Sequence, residues 1–262
     1  MRLVRYVCIF ILLVLLSACQ QKNNTLILVT TTSVENSGLL EYLLPEFEEA
    51  YDIDVNVVAV GTGAALELGE RGQADVLLVH DLNRELEFVE AGFGEKRADL
   101  MYNYFIYVGP EPIEHDGTLV DFLQNLHQNH QFLSRGDQSG THTKELTLWD
   151  SLSLPVSFDD SWYHESGQGM ESTLSMASIK GYYTLTDQGT YLSVRPNLNL
   201  EIVFSEEDAL LNPYGIIKVS ETLHNRDADN AELLYQWFIN ENTKDRIREF
   251  KINQDQLFYM YD

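Results

Sequence analysis

The chain has 262 residues, 44% of them hydrophobic, which suits a globular protein of one large domain or two modest ones. Seventeen Lys and Arg against 41 Asp and Glu leave a formal charge of −24, a field that disfavours nucleic acid and anionic lipid surfaces as partners. Its two cysteines, Cys8 and Cys19, both precede residue 20, so the remainder of the chain holds neither a disulfide nor a thiolate metal site.

In chain order, Met1-Arg2-Leu3-Val4-Arg5 is a basic start, residues 6–16 are apolar, and Leu16-Ser17-Ala18-Cys19 closes the segment with small residues before a cysteine. This is the pattern of a secretory signal, too short to cross a bilayer comfortably. Leu-Ser-Ala-Cys resembles the bacterial lipobox, which implies cleavage before Cys19 and diacylglyceryl attachment to its sulfur; the alternative is a plain signal with an incidental cysteine. Residues 1–18 are therefore expected to be a lipoprotein signal peptide and 19–25 a lipidated tether, with the protein extracytoplasmic and membrane-anchored through lipid alone.

From residue 26 apolar runs alternate with amphipathic stretches: strands at 26–29, 55–60 and 75–79, and helices at 37–50, 64–71 and 84–91. Short strands followed by helices argue a parallel α/β sheet. Residues 104–108 read as a further strand, stopped by Gly109-Pro110. A second unit follows, with helices at 119–130, 141–152 and 169–179 and strands at 132–134 and 182–186. Residues 200–204 and 214–219 read as strands of the first unit again, and helices at 228–240 and 243–250 close the chain. Two extended segments, 104–109 and 200–205, would then cross between lobes: 26–106 plus 205–262 as lobe I and 107–204 as lobe II. A chain that leaves one α/β lobe, builds another and returns makes a hinge and a cleft, as in periplasmic-type binding proteins.

Three loops share one chemistry. Thr30-Thr31-Thr32-Ser33 places four hydroxyls at a strand-to-helix turn, where short neutral donors and free helix amides suit an anion; an ordinary capped turn is the competing reading. Gly61-Thr62-Gly63-Ala64 combines close backbone approach with outward amides, although as a bare turn it is equally well explained. Ser134-Arg135-Gly136-Asp137-Gln138-Ser139-Gly140-Thr141-His142 adds a guanidinium to hydroxyls and amides, and together the three point to an oxyanion. Ser139, Asp137 and His142 would supply a hydrolase with nucleophile, orienter and base, but they crowd one loop and no Gly-x-Ser-x-Gly elbow is present. The tripeptide Arg135-Gly136-Asp137 is too short to indicate adhesion, and His80, His142 and His164 lack metal-ligand spacing, so no metal is expected.

These loops, with Asn36-Ser37-Gly38, Ala74-Asp75-Val76-Leu77-Leu78-Val79-His80, Gly167-Gln168-Gly169-Met170, Tyr183-Thr184-Leu185-Thr186-Asp187 and Asn212-Pro213-Tyr214-Gly215, make the chain resemble the TupA family of tungstate ABC transporters over nearly its whole length. The resemblance implies a type II, two-lobed binding-protein fold, no enzyme activity and no cofactor. It implies a monomer that captures tungstate or molybdate and delivers it to an ABC permease with its ATPase. Carried over, the ligand contacts are Thr31, Thr32, Ser33, Thr62, Gly63, Ala64, Arg135, Ser139, Gly140 and Thr141. Gln188 departs from the family's pattern, where arginine is expected after Thr-Asp, and Met260-Tyr261 replaces an expected proline-containing end. Phosphate is the rival oxyanion, because Arg-x-Asp-x-Ser-Gly-Thr also resembles phosphate-binding proteins, with Asp137 then accepting the phosphate proton. A sensory binding lipoprotein without transport is a further alternative.

Overall fold

A computed structural model describes residues 24–154, 156–157, 159–205, 208–223 and 228–261. The expected signal and Cys19 lie outside the described residues, and the fold is under way before residue 26: Asn24 accepts a hydrogen bond from the Asp54 amide at 2.8 Å, and β1 begins at Thr25.

Strand β1 (Thr25–Thr31) lies between β2 (Asp54–Val60) and β3 (Val76–Val79), and both pairings are parallel. The helix expected at 37–50 is α2 (Leu39–Tyr51), and a short helix not expected from the sequence, α1 (Thr32–Asn36), precedes it, the two separated at Gly38 with φ 76°. In α2 the positions Leu39, Leu40, Leu43, Leu44 and Phe47 are buried at helical spacing, each such side chain stabilising the fold by about 1.5–3 kcal/mol. Helices α3 (Thr62–Glu70) and α4 (Leu82–Glu90) follow β2 and β3 and cover the opposite face, packing Ala65, Leu66 and Phe88 onto Val29, Leu77 and Val79.

The sheet is mixed, which corrects the all-parallel expectation. Strand β4 runs from Gly94 to Gly109, ten residues earlier than its apolar part, and it serves two sheets in turn. Up to Tyr104 it pairs antiparallel with β9 (Leu211–Val219), which also pairs antiparallel with β3. From Phe105 its partner is β7 (Thr184–Asp187), and its last residues pair with β8 (Glu201–Phe204). Residues 201–204 thus do not rejoin the first unit as expected; Tyr107, Val108 and Gly109 hold them in the second, and β9 is the returning strand.

The second unit contains α5 (Leu119–Asn129), β5 (Phe132–Ser134), α6 (Gly140–Ser151), β6 (Tyr163–Glu165), α7 (Met170–Lys180) and α8 (Gln188–Val194). Strands β5 and β6 are parallel, and Phe132 bridges to Tyr183. Its core is aromatic, built on Tyr107, Phe122, Phe132, Trp149 and Tyr163. Helices α7 and α8 contribute Leu174 and Tyr191 to the core of the first unit, where α9 (Ala228–Ile239) and α10 (Glu241–Glu249) also pack. No helix among the described residues is long and apolar enough to cross a membrane.

Candidate functional site

The carboxyl ends of β1, β2, β3 and β5 all open on one cavity of about 650 Å³. Thr31, Thr32, Ser33, Thr62, Gly63, Ala64, Arg135, Ser139, Gly140 and Thr141 all line it, so the fold brings together every residue carried over from the sequence.

The first wall is the end of β1. Thr30 is fully buried and donates through Oγ1 to the Leu78 carbonyl at 2.8 Å, so it ties β1 to β3 and takes no part in the cavity. Thr31 and Ser33 place their hydroxyl oxygens 3.1 Å apart, leaving at least one hydroxyl hydrogen for another partner. The second wall is the start of α3. Gly61 caps it without a side-chain bond, the first-turn amides have no helical acceptor, and the Thr62 hydroxyl is buried with no hydrogen-bond partner among the described residues.

The third wall is the 135–141 loop. Gly136 sits at φ 61°, and a Cβ there would lie 2.7 Å from Glu165, so this turn requires glycine. The turn folds Arg135 back onto Asp137 at 2.5 Å, while Asp137 also accepts from the Ser139 amide at 3.1 Å. Burial works against the Asp137 carboxylate, but the bonds from Ser139 and the charge of Arg135 outweigh it and hold its pKa below the ordinary value. The Nε of Arg135 is buried with no hydrogen-bond partner among the described residues. Thr62 and Arg135, two residues that line this cavity, therefore each carry a buried donor with no acceptor among the described residues, an arrangement that is costly unless a ligand accepts from them.

Several lining groups escaped sequence reasoning: His80, Asp81, Arg84, the start of α7 from Gly169 to Ser172, Asp187 and Thr190. Asp187 caps α8, accepting from the Thr190 amide at 2.9 Å and its hydroxyl at 2.7 Å. Asn36 donates across the cleft to Glu171 at 3.2 Å, joining α1 to α7. The available signal was Gly-x-Gly before a helix for α7 and Thr-Asp before one for α8, motifs whose spacing says nothing of where they converge. With α3, α6, α7 and α8 all presenting first-turn residues, the positive ends of four helices meet at the cavity and favour an anion. Gln188 does not line it, so the place of the expected arginine supplies no charge here.

The geometry does not assemble a nucleophile and base. Ser139 Oγ accepts from the His142 backbone amide at 3.3 Å as a helix cap, and the His142 Nδ1 accepts from the Gln138 amide at 3.0 Å. No group of three or more His, Cys, Asp or Glu side chains among the described residues is arranged to hold a metal ion.

Comparison with known proteins agrees with this geometry. Residues 18–242 match the family model described as a PBP superfamily domain. The chain is 44% identical over 227 residues to the tungstate-binding protein TupA of Peptoclostridium acidaminophilum, an alignment covering 84% of this chain and 79% of that protein. The solved tungstate-binding protein TupA from Desulfovibrio alaskensis G20 is similar with a TM-score of 0.81 and 39% identity, covering 90% of this chain and 98% of that one. The tungstate ABC transporter structure from Geobacter sulfurreducens gives a TM-score of 0.78 and 42% identity, covering 86% and 98%.

Proposed function

Because the chain belongs to the TupA family of tungstate-binding proteins, within the PBP superfamily, we propose that it captures tungstate between two lobes and delivers it to the permease and ATPase of an ABC transporter. It is a binding protein and not an enzyme, and tungsten enters as the oxyanion ligand, with no cofactor. Molybdate, a tetrahedral dianion of the same kind, is the second ligand. One observation carries the reading: Thr62 and Arg135 line one cavity, and each holds a buried donor, Oγ1 and Nε, without a partner among the described residues. The ligand contacts are the ten residues named from the sequence, with Arg135 as the charged donor and the Ser139 hydroxyl and the amides of 62–64 and 140–141 as neutral ones.

A five-atom oxyanion fills the space of a few waters at about 30 Å³ each. The cavity of about 650 Å³ is several times larger, so a full donor set requires the lobes to close on the ion. The hinge falls in β4 across Tyr104–Tyr107, from the change of strand partners at Tyr104/Phe105 to the lobe boundary at 106/107, with 26–106 and 205–262 as lobe I and 107–204 as lobe II. Asp137 bears on phosphate: one oxygen is held by Arg135 and the other by the Ser139 amide, leaving it poorly placed to take a proton from a hydrogen phosphate. Calorimetric titration with tungstate, molybdate, sulfate and phosphate tests this, with tungstate bound strongly and phosphate hardly at all; phosphate binding as tight or tighter overturns the assignment.

The protein works as a monomer on the outer side of the membrane, held there by lipid on Cys19. Cys19→Ser should release it into the soluble fraction with its ligand affinity unchanged, and a processed mutant that still sediments with membranes would refute the anchor.

A further inference from the structure

The cavity wall contains more negative than positive side chains. Asp81, Asp137, Glu171 and Asp187 line it, against Arg84 and Arg135, and Arg84 and Arg135 each already face one of those carboxylates, at 3.8 and 2.5 Å. A dianion entering there needs positive charge that the side chains do not supply at neutral pH, beyond what helix ends contribute. Among the described residues of the wall, His80 is the remaining group able to provide it.

His80 stands immediately after β3 at the floor of the cleft. Its Nδ1 lies 3.0 Å from Oδ1 of Asn212, a residue only 2% exposed. The Asn212 amide group donates to Asn103 Oδ1 at 2.8 Å and to Tyr214 Oη at 3.0 Å. With its Nδ2 so engaged, Asn212 offers His80 an acceptor, and the Nδ1 of His80 carries the hydrogen. The ring is packed on Tyr214 at 4.9 Å, and its Cε1 lies 3.5 Å from where a Cβ would stand on Gly140, beside the open amides that begin α6. Nε2 then has no protein partner among the described residues. As a neutral ring, His80 would present a lone pair to an oxyanion; as an imidazolium it presents a second N–H and a full charge.

Resting on the tungstate-binding reading, we propose that His80 is a ligand-binding residue that holds the oxyanion as an imidazolium, so that each ion captured brings one proton with it. The groups around the ring set the sign. Burial lowers the pKa of His80, while Asp187 at the head of α8, the Asn212 bond and Asp81 pull it back up. Tyr214 of β9 contributes a neutral ring, and Arg84 of α4, paired with Asp81, and Arg135 oppose protonation from further around the wall. The free ring is thus largely neutral at pH 7.5, and a bound dianion shifts it toward the charged form. Tungstate is already fully ionised there, so its own titration adds nothing to the proton count.

The test is calorimetry of the wild-type protein with sodium tungstate at pH 7.5 in PIPES and in Tris, whose different ionisation heats report proton uptake. Between about 0.5 and 1 proton per ion should be taken up, and affinity should fall by up to about tenfold per pH unit from 6.5 to 8.5. His80→Gln and His80→Asn should bind more weakly, take up almost no proton and show a flat profile. In the wild-type protein the His80 ring ¹⁵N signals should move to imidazolium values when tungstate is added. Tungstate binding without proton uptake, uptake undiminished in both variants, or a ring that stays neutral each overturns the proposal and leaves the tungstate reading intact. A wild-type protein that gives no tungstate binding at any pH overturns both.

Discussion

Replacing Arg135 by alanine removes two things at once, and the structure allows each to be sized. The guanidinium gives one N–H to Asp137 at 2.5 Å and keeps Nε buried and unpartnered beside the cavity. A charged hydrogen bond is worth about 1.5–3 kcal/mol, and a forked pair to an oxyanion lies at the upper end. The second effect is the carboxylate left behind. Without Arg135, Asp137 faces the dianion unpaired, and at roughly 6 Å with an effective dielectric of about 20 each pair of unit charges repels by roughly 3 kcal/mol, reduced here because Asp137 is partly exposed. Together these give about 4–6 kcal/mol, or about a thousandfold to ten-thousandfold in Kd. The double substitution Arg135→Ala with Asp137→Asn removes the repulsion and should recover to a loss of about a hundredfold, while Arg135→Lys should restore charge without the planar fork and recover only in part. Tungstate titrations of these proteins, with thermal melting to confirm folding, read the cycle directly. A folded Arg135→Ala protein with affinity close to wild type would show that Arg135 only ties the loop through Asp137 and leaves the anion to amides and hydroxyls.

Thr62→Val should act in opposite directions on binding and folding: affinity falls about fivefold for one neutral hydrogen bond, while the free protein melts higher because a buried, unpartnered hydroxyl is gone. Unchanged affinity in that variant would remove Thr62 from the ligand shell. Glu145 of α6 is 1% exposed and accepts from the Tyr163 hydroxyl at 2.6 Å, and burial raises its pKa from 4.5 to about 7. Because the folded carboxyl holds its proton longer than the unfolded one, its contribution to stability is complete below pH 4.5 and is lost as pH rises to about 7, a change of about 3 kcal/mol. Urea unfolding at pH 5 and pH 8 should show Glu145→Gln losing less stability than wild type by about that amount; equal losses would contradict the sign.

What was legible in the sequence follows the range of the forces involved. The elements at 26–29, 55–60 and 119–130 were readable because their buried positions repeat at strand or helix period, a local signal. The first part of β4 was not, because Glu95, Lys96, Arg97 and Asp99 give it no apolar period. Their charges are met by tertiary partners: Arg97 by the fully buried Glu85 at 2.8 Å, Lys96 by Glu232 at 2.7 Å. Helix α8 has seven residues with Gly189 among them, too few for a period, and is recognisable only from the Asp187 cap. The parallel expectation failed because β9 and β4 insert antiparallel strands after a long excursion, which spacing along the chain does not encode. In the site, the three donor loops were visible because backbone amides and short hydroxyls bind anions through local sequence. His80, Arg84 and Asp187 were hidden because each reaches the cavity by tertiary placement on a strand or helix end.

Co-crystallisation with tungstate, with anomalous data collected at the tungsten absorption edge, locates the ion without reference to any assumed contact. A single strong peak should lie within hydrogen-bond reach of Arg135, the Thr62 hydroxyl and the amides of residues 140–141, in a cavity closed below its present volume of about 650 Å³. A peak outside this cavity, or none at saturating tungstate, would contradict the proposed site.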